Sequence, residues 1–126
     1  MKRLRIGVIG LGRLGYHHAM NVTKSQRAIL SAVSDAFPEA LKRAVDNFDV
    51  PGYADYKEMI VRDDVDAIVV ATPTKTHYDV LMDCIETKKP IFVEKPITFT
   101  VEESEAIMKA VEEKNIFLQV GFMRRF

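Results

Sequence analysis

Short runs of aliphatic and β-branched residues alternate with amphipathic stretches along the whole chain, and this alternation limits the available folds more than any other feature. Leu4 to Ile9, Ala28 to Ser34, Asp66 to Ala71, Ile91 to Val93 and Ile116 to Val120 are apolar runs of strand length, and Gly52 and Tyr53 leave room for one very short strand more. Between them lie helical patterns. One runs from Arg13 to about Lys24, and a second starts at Pro38, where a first helical turn accepts proline, and carries Ala40, Leu41, Ala44 and Val45. Asp55 and Glu58 have capping-box spacing ahead of Met59 and Ile60, as do Thr100 and Glu103 ahead of Ile107, Ala110 and Val111. Thr74 or a neighbour opens a further helix whose inner stripe is Val80, Leu81, Cys84 and Ile85.

The strand runs are continuous in hydrophobicity, so both faces of the sheet are expected to be covered, as they are where helices cross between parallel strands. The sequence predicts one α/β domain over 1–120, a Rossmann-type doubly wound parallel sheet of about six strands in the order 3-2-1-4-5-6. Its 126 residues suit a single core, with 48% hydrophobic and 29% charged residues. Eighteen basic residues balance eighteen acidic ones, which excludes a uniform field for nucleic acid or an anionic membrane. No apolar run reaches the roughly 20 residues a bilayer requires, and Met1-Lys2-Arg3 leads directly into a strand, so a cytoplasmic protein is expected. The single cysteine, Cys84, reads as a buried structural thiol, and no metal site is expected. Residues 121–126, directly after the sixth strand, read as the start of a connection to an absent second domain.

Gly10-Leu-Gly-Arg-Leu-Gly15 follows the first strand, opens the first helix and precedes Asp35 by twenty positions counted from Gly15. Gly10 permits the tight turn, Gly12 lets backbone approach a pyrophosphate, and Gly15 allows close helix–strand contact. The phosphates would meet the helix amides near Arg13 and Leu14. Asp35 can accept hydrogen bonds from an adenosine ribose and would repel a 2′-phosphate, so NAD is expected rather than NADP, with Lys42 and Arg43 the nearby cations that argue the other way. A plain helix cap is the structural alternative for Asp35.

Ala71-Thr72-Pro73 and Glu94-Lys95-Pro96 end the fourth and fifth strands, at the edge where open α/β sheets bind ligands. With these residues, Gly10 to Gly15, His18-Ala19, Asp35, Tyr53-Ala-Asp55, His77 and Gly121-Phe-Met-Arg-Arg125, the sequence resembles the Gfo/Idh/MocA family of oxidoreductases over nearly its whole length. The resemblance implies hydride transfer between a nicotinamide and a secondary alcohol of a sugar or cyclitol, with Lys95 beside nicotinamide and substrate as the catalytic residue. It implies cofactor contacts from Gly10, Gly12, Arg13, Leu14, Gly15, Asp35, Ala71, Thr72, Pro73, His77, Glu94 and Lys95. It also implies that the acid–base His and its Asp come from a missing C-terminal α+β domain.

Three histidines remain to be placed. His17 and His18 read as surface or packing residues of the first helix, and His77, in the first turn of its helix, reads more readily as a structural cap than as a catalyst. Met123, Arg124 and Arg125 correspond to the family's cleft-entering segment, and Lys95-Pro96 is a candidate cis peptide. Exposed apolar surface on a fragment of this kind predicts a homo-oligomer. Two other readings of the isolated chain stand beside the dehydrogenase: a non-catalytic dinucleotide-binding module and a self-assembling Rossmann fragment.

Overall fold

The computed structural model describes residues 3–95, 98 and 100–121. Strands and helices alternate as β1 (Leu4–Ile9), α1 (Arg13–Thr23), β2 (Ala28–Ser34), α2 (Pro38–Phe48), β3 (Gly52–Tyr53), α3 (Tyr56–Ile60), β4 (Ala67–Val70), α4 (His77–Glu86), β5 (Ile91–Val93), α5 (Val101–Lys114) and β6 (Leu118–Val120). The six strands form one sheet in the order β3-β2-β1-β4-β5-β6, with every pairing parallel. This is the doubly wound topology expected from the alternation, and it places the reversal of strand order between β1 and β4.

Side chains of the central strands alternate between two cores. Ile6, Val8, Val33, Ala67 and Val69 pack with α1 and α2 around Ala19, Val22 and Ala44. Ile9, Ala32, Ile68, Val70, Ile91 and Val93 pack with α3, α4 and α5 around Met59, Leu81, Ile85 and Ile107. Burial on both faces explains why these strands read as unbroken apolar runs. Cys84 lies fully buried in the second core, where burial pushes its thiol pKa well up. That is the inert structural thiol the sequence suggested.

Several boundaries differ from the expectation. β4 is one residue shorter at each end than the Asp66–Ala71 run; at its start the Asp66 carboxylate accepts from the Arg5 backbone N–H at 2.9 Å and from its guanidinium at 3.0 Å. Thr74–Thr76 form a 3-10 turn, and α4 starts only at His77. β6 begins at Leu118 rather than Ile116, whose N–H instead donates to the Val111 carbonyl as α5 ends on Asn115 in the left-handed region. The two edge strands depart from two-sided burial: β3 has no buried residue, and in β6 Val120 is exposed, as is Phe117 just before the strand. At α3 the Asp55 carboxylate accepts from the Lys57 N–H, one position earlier than a capping box requires, whereas the Thr100 hydroxyl accepts from the Glu103 N–H as expected. The candidate cis peptide at Lys95-Pro96 and the segment Met123, Arg124 and Arg125 lie outside the described residues.

Candidate functional site

The parallel register delivers the carboxyl ends of all strands to one edge. Along it stand Ala54 after β3, Asp35 after β2, Gly10 after β1, Ala71 after β4, Glu94 after β5 and Gly121 after β6. Backbone bonds tie these ends together: Asp35 N–H to Tyr53 O, Gly10 N–H to Ser34 O, Ala71 N–H to Ile9 O, and Gly121 N–H to Val93 O. A cleft of about 1000 Å³ opens above the β3-β2-β1-β4 side of this edge.

The three glycines of the turn do different work. Gly10 sits at φ +95, and a Cβ there would lie 2.7 Å from the Ala71 carbonyl carbon, so only glycine fits. A Cβ on Gly15 would lie 1.8 Å from the Gly10 carbonyl oxygen, which makes its absence the condition for α1 lying close against the turn. Gly12 is unlike both, since a Cβ there would meet nothing within 4 Å. It faces the cleft, and its smallness serves no contact within the protein.

Gly12 is also the N-cap of α1, so no side chain caps this helix, and its first turn holds no acidic residue. The first helical bond recorded at this end is Tyr16 N–H to Gly12 O, leaving the amides of Arg13 and Leu14 ahead of it. Those amides and the positive end of the dipole, roughly half an elementary charge, are what an anion at this position would meet.

Asp35 faces that helix start from the end of β2. Its carboxylate accepts from Leu11 N–H at 2.7 Å and from Phe37 N–H at 2.8 Å. The residue therefore braces the glycine turn as well as lining the cleft. It is not the cap of α2, whose N-cap is Phe37 without a side-chain bond. Glu39 adds a second carboxylate to the same wall. The two cations that argued for NADP are engaged elsewhere: Lys42 holds Asp46 at 2.5 Å, and the Arg43 guanidinium lies 4.0 Å above the Tyr16 ring. Neither lines the cleft.

The opposite wall comes from Ala71, Thr72 and Pro73, with Val80 from α4 and Tyr56 from α3. Tyr56 donates its hydroxyl to Asp83, and burial together with that carboxylate raises its pKa. The Thr72 hydroxyl is buried in this wall without a hydrogen-bond partner among the described residues. His77 is buried behind it and donates from Nε2 to the Thr72 carbonyl at 2.8 Å, pinning the turn from outside the cleft.

Of the expected positions, Gly10, Gly12, Arg13, Leu14, Asp35, Ala71, Thr72 and Pro73 come together around the cleft. Gly15 and His77 support it from behind, while Glu94 and Lys95 stand on the far side of β4, with Lys95 exposed. Sequence reasoning missed one arrangement: His18, read as a surface or packing residue, is 4% exposed and hydrogen-bonded to Glu94. The signal available was its place three residues after Gly15, on the same helix face. His17 is exposed, as expected.

An uncapped helix start facing open space, a carboxylate at the end of the neighbouring strand and a switch point between them define a dinucleotide-binding α/β domain. The donor set fits such a ligand, since the void at Gly12 lies where a pyrophosphate must approach the backbone. The profile of the oxidoreductase family with an NAD-binding Rossmann fold, Gfo/Idh/MocA, matches residues 4–122. Scyllo-inositol 2-dehydrogenase (NAD(+)) of Bacillus subtilis is 40% identical over 126 residues, covering 98% of this chain and 37% of the relative. Myo-inositol 2-dehydrogenase of Thermotoga maritima is 36% identical over 124 residues, with 98% and 37% covered. The crystal structure of scyllo-inositol dehydrogenase from Lactobacillus casei with bound NAD(H) and scyllo-inositol superposes with a TM-score of 0.90 at 34% identity, covering 98% of this chain and 37% of that one. The chain belongs to the Gfo/Idh/MocA family and comprises its NAD-binding Rossmann domain; it spans 37% of the length of the two curated relatives. No helix among the described residues is long and apolar enough to cross a membrane.

Proposed function

We propose that the chain is the cofactor half of an NAD-dependent dehydrogenase acting on a secondary alcohol of a cyclitol or sugar. The observation that carries this reading is the pairing of an uncapped α1 start with Asp35 across one cleft, in a family whose relatives include inositol 2-dehydrogenases. Bound NAD supplies the hydride acceptor. Arg13 and Leu14 amides hold the pyrophosphate, Asp35 the adenosine ribose, and Ala71 to Pro73 the wall beside the base. Lys95, at the end of β5, stands on the nicotinamide side of the switch point, where an ammonium stabilises charge developing on the substrate oxygen.

The same reading holds that the chain as it stands binds NAD(H) without turnover. The histidines support this: His18 is engaged with Glu94, His77 with the Thr72 carbonyl, and none of the three lines the cleft. A second domain, carrying the acid–base group, and a cytoplasmic setting belong to the proposal. Self-association does too, supported by the exposed Phe117 and Val120 at the open edge of the sheet.

Calorimetric titration with NADH and NADPH tests the cofactor site. NADH binds, and NADPH binds at least tenfold more weakly, a difference of about 1.4 kcal/mol. Asp35→Asn, whose amide oxygen keeps one of the two backbone bonds, loses about tenfold in NADH affinity and narrows the preference. Equal binding of the two nucleotides, or none of either, overturns the reading.

A further inference from the structure

We propose that the buried His18–Glu94 pair is a positioning pair, which fixes Lys95 at the nicotinamide end relative to the helix that holds the pyrophosphate. The inference rests on the cofactor reading above and assigns a role to two residues which that reading leaves out of the chemistry.

The geometry starts from Gly15. Because that residue has no side chain, α1 lies against the turn, and an added Cβ would stand 3.1 Å from the Ala71 Cβ at the end of β4. His18 is one turn further along the same face, so its imidazole reaches past β4 to the end of β5, where Nε2 meets Glu94 Oε1. The side chains are 5% and 12% exposed, and the partners are 76 residues apart in sequence. A polar group is expensive to bury unless it is hydrogen-bonded, so the contact, once buried, holds its two elements in one register.

Lys95 follows directly. The main chain before it is held by Glu94 N–H to Val70 O, at 3.4 Å, and by Gly121 N–H to Val93 O, at 3.0 Å. Gly121, at φ +125, leaves space against which the Lys95 Cε would lie 3.6 Å from an added Cβ. With Glu94 fixed at both backbone and side chain, the origin of the Lys95 side chain is fixed to α1. A dinucleotide spanning the switch point has its pyrophosphate on α1 and its nicotinamide toward β5, so one contact sets the distance between the two.

The test compares NADH with ADP-ribose, which lacks the nicotinamide end, by calorimetry on the chain and its variants. Glu94→Ala weakens NADH about tenfold and leaves ADP-ribose within twofold. Glu94→Gln, which keeps an acceptor oxygen for the imidazole, recovers most of the loss. His18→Ala cuts the bond from the helix side and reproduces the selective loss, which keeps the test open should Glu94→Ala not fold. In a Lys95→Met background, Glu94→Ala adds nothing further to the change in the NADH to ADP-ribose ratio. Equal weakening of both ligands, or an effect that adds fully to Lys95→Met, shows a purely structural pair and overturns the proposal. Failure of the unchanged chain to bind either ligand instead brings down the cofactor reading, and the positioning role with it.

Discussion

Helices α1 and α5 begin in opposite ways. α5 is closed: the Thr100 hydroxyl accepts from the Glu103 N–H, Glu102 and Glu103 stand in the first turn, and Lys114 stands in the last, each group complementing the helix dipole. α1 has none of these. Its N-cap is Gly12, its first turn is not acidic, and its last turn is not basic. A glycine in place of a capping side chain costs only a few tenths of a kcal/mol, and α1 carries that cost where its start faces the large cleft. The start of α5 is saturated by its own side chains; that of α1 has neither a capping side chain nor an acidic first turn, and a glycine with open space in front of it.

Three substitutions probe the contrast. The largest effect is expected at Gly15. Gly15→Ala puts a methyl 1.8 Å from the Gly10 carbonyl oxygen, so α1 must move off the turn. Thermal unfolding should show a loss of several kcal/mol, on the scale of severe core changes, and nucleotide binding should vanish with it. A melting temperature near that of the unchanged chain would mean that the turn tolerates displacement and that the close approach is not required.

Gly12→Ala sharpens the comparison, because the new methyl meets no protein atom. Stability should change by less than about 1 kcal/mol, the size of a glycine-to-alanine change at an N-cap. NADH affinity should fall about tenfold, as the methyl occupies the space the pyrophosphate needs. Unchanged affinity would place the phosphates elsewhere. The smallest effect belongs to α5: Thr100→Ala should lower stability by about 1 kcal/mol and leave NADH affinity unaltered, measured by melting and by titration of one sample.

Much of this is legible in the amino-acid sequence. The βα alternation, the glycine turn after Leu4 to Ile9 and the acid twenty residues beyond Gly15 all rest on short-range rules: periodicity, turn chemistry, capping. What was legible only in part lies where two distant segments meet. Asp35 was readable as a ribose acceptor or a helix cap, and the fold gave it a third duty as a brace, because β2 lies beside β1 and brings its carboxylate to the Leu11 amide. Lys42 and Arg43 could not be dismissed from sequence. Only the packing of α2 on α1 turned Arg43 onto the Tyr16 ring, while Lys42 found Asp46 one helical turn away.

The sequence by itself determined the fold class and the identity of the turn, since burial pattern and glycine position are local quantities that leave a doubly wound sheet few alternatives. The tertiary structure decided which of the site residues share a cleft. Glu94 and Lys95 lie across β4 from it, His77 lies behind its wall, and His18, readable as a surface or a packing residue, is buried against Glu94. These placements depend on the order in which parallel strands sit side by side. Residues 76 positions apart meet only because β4 pairs with β1 and β5 with β4, a distance in sequence that no local propensity spans.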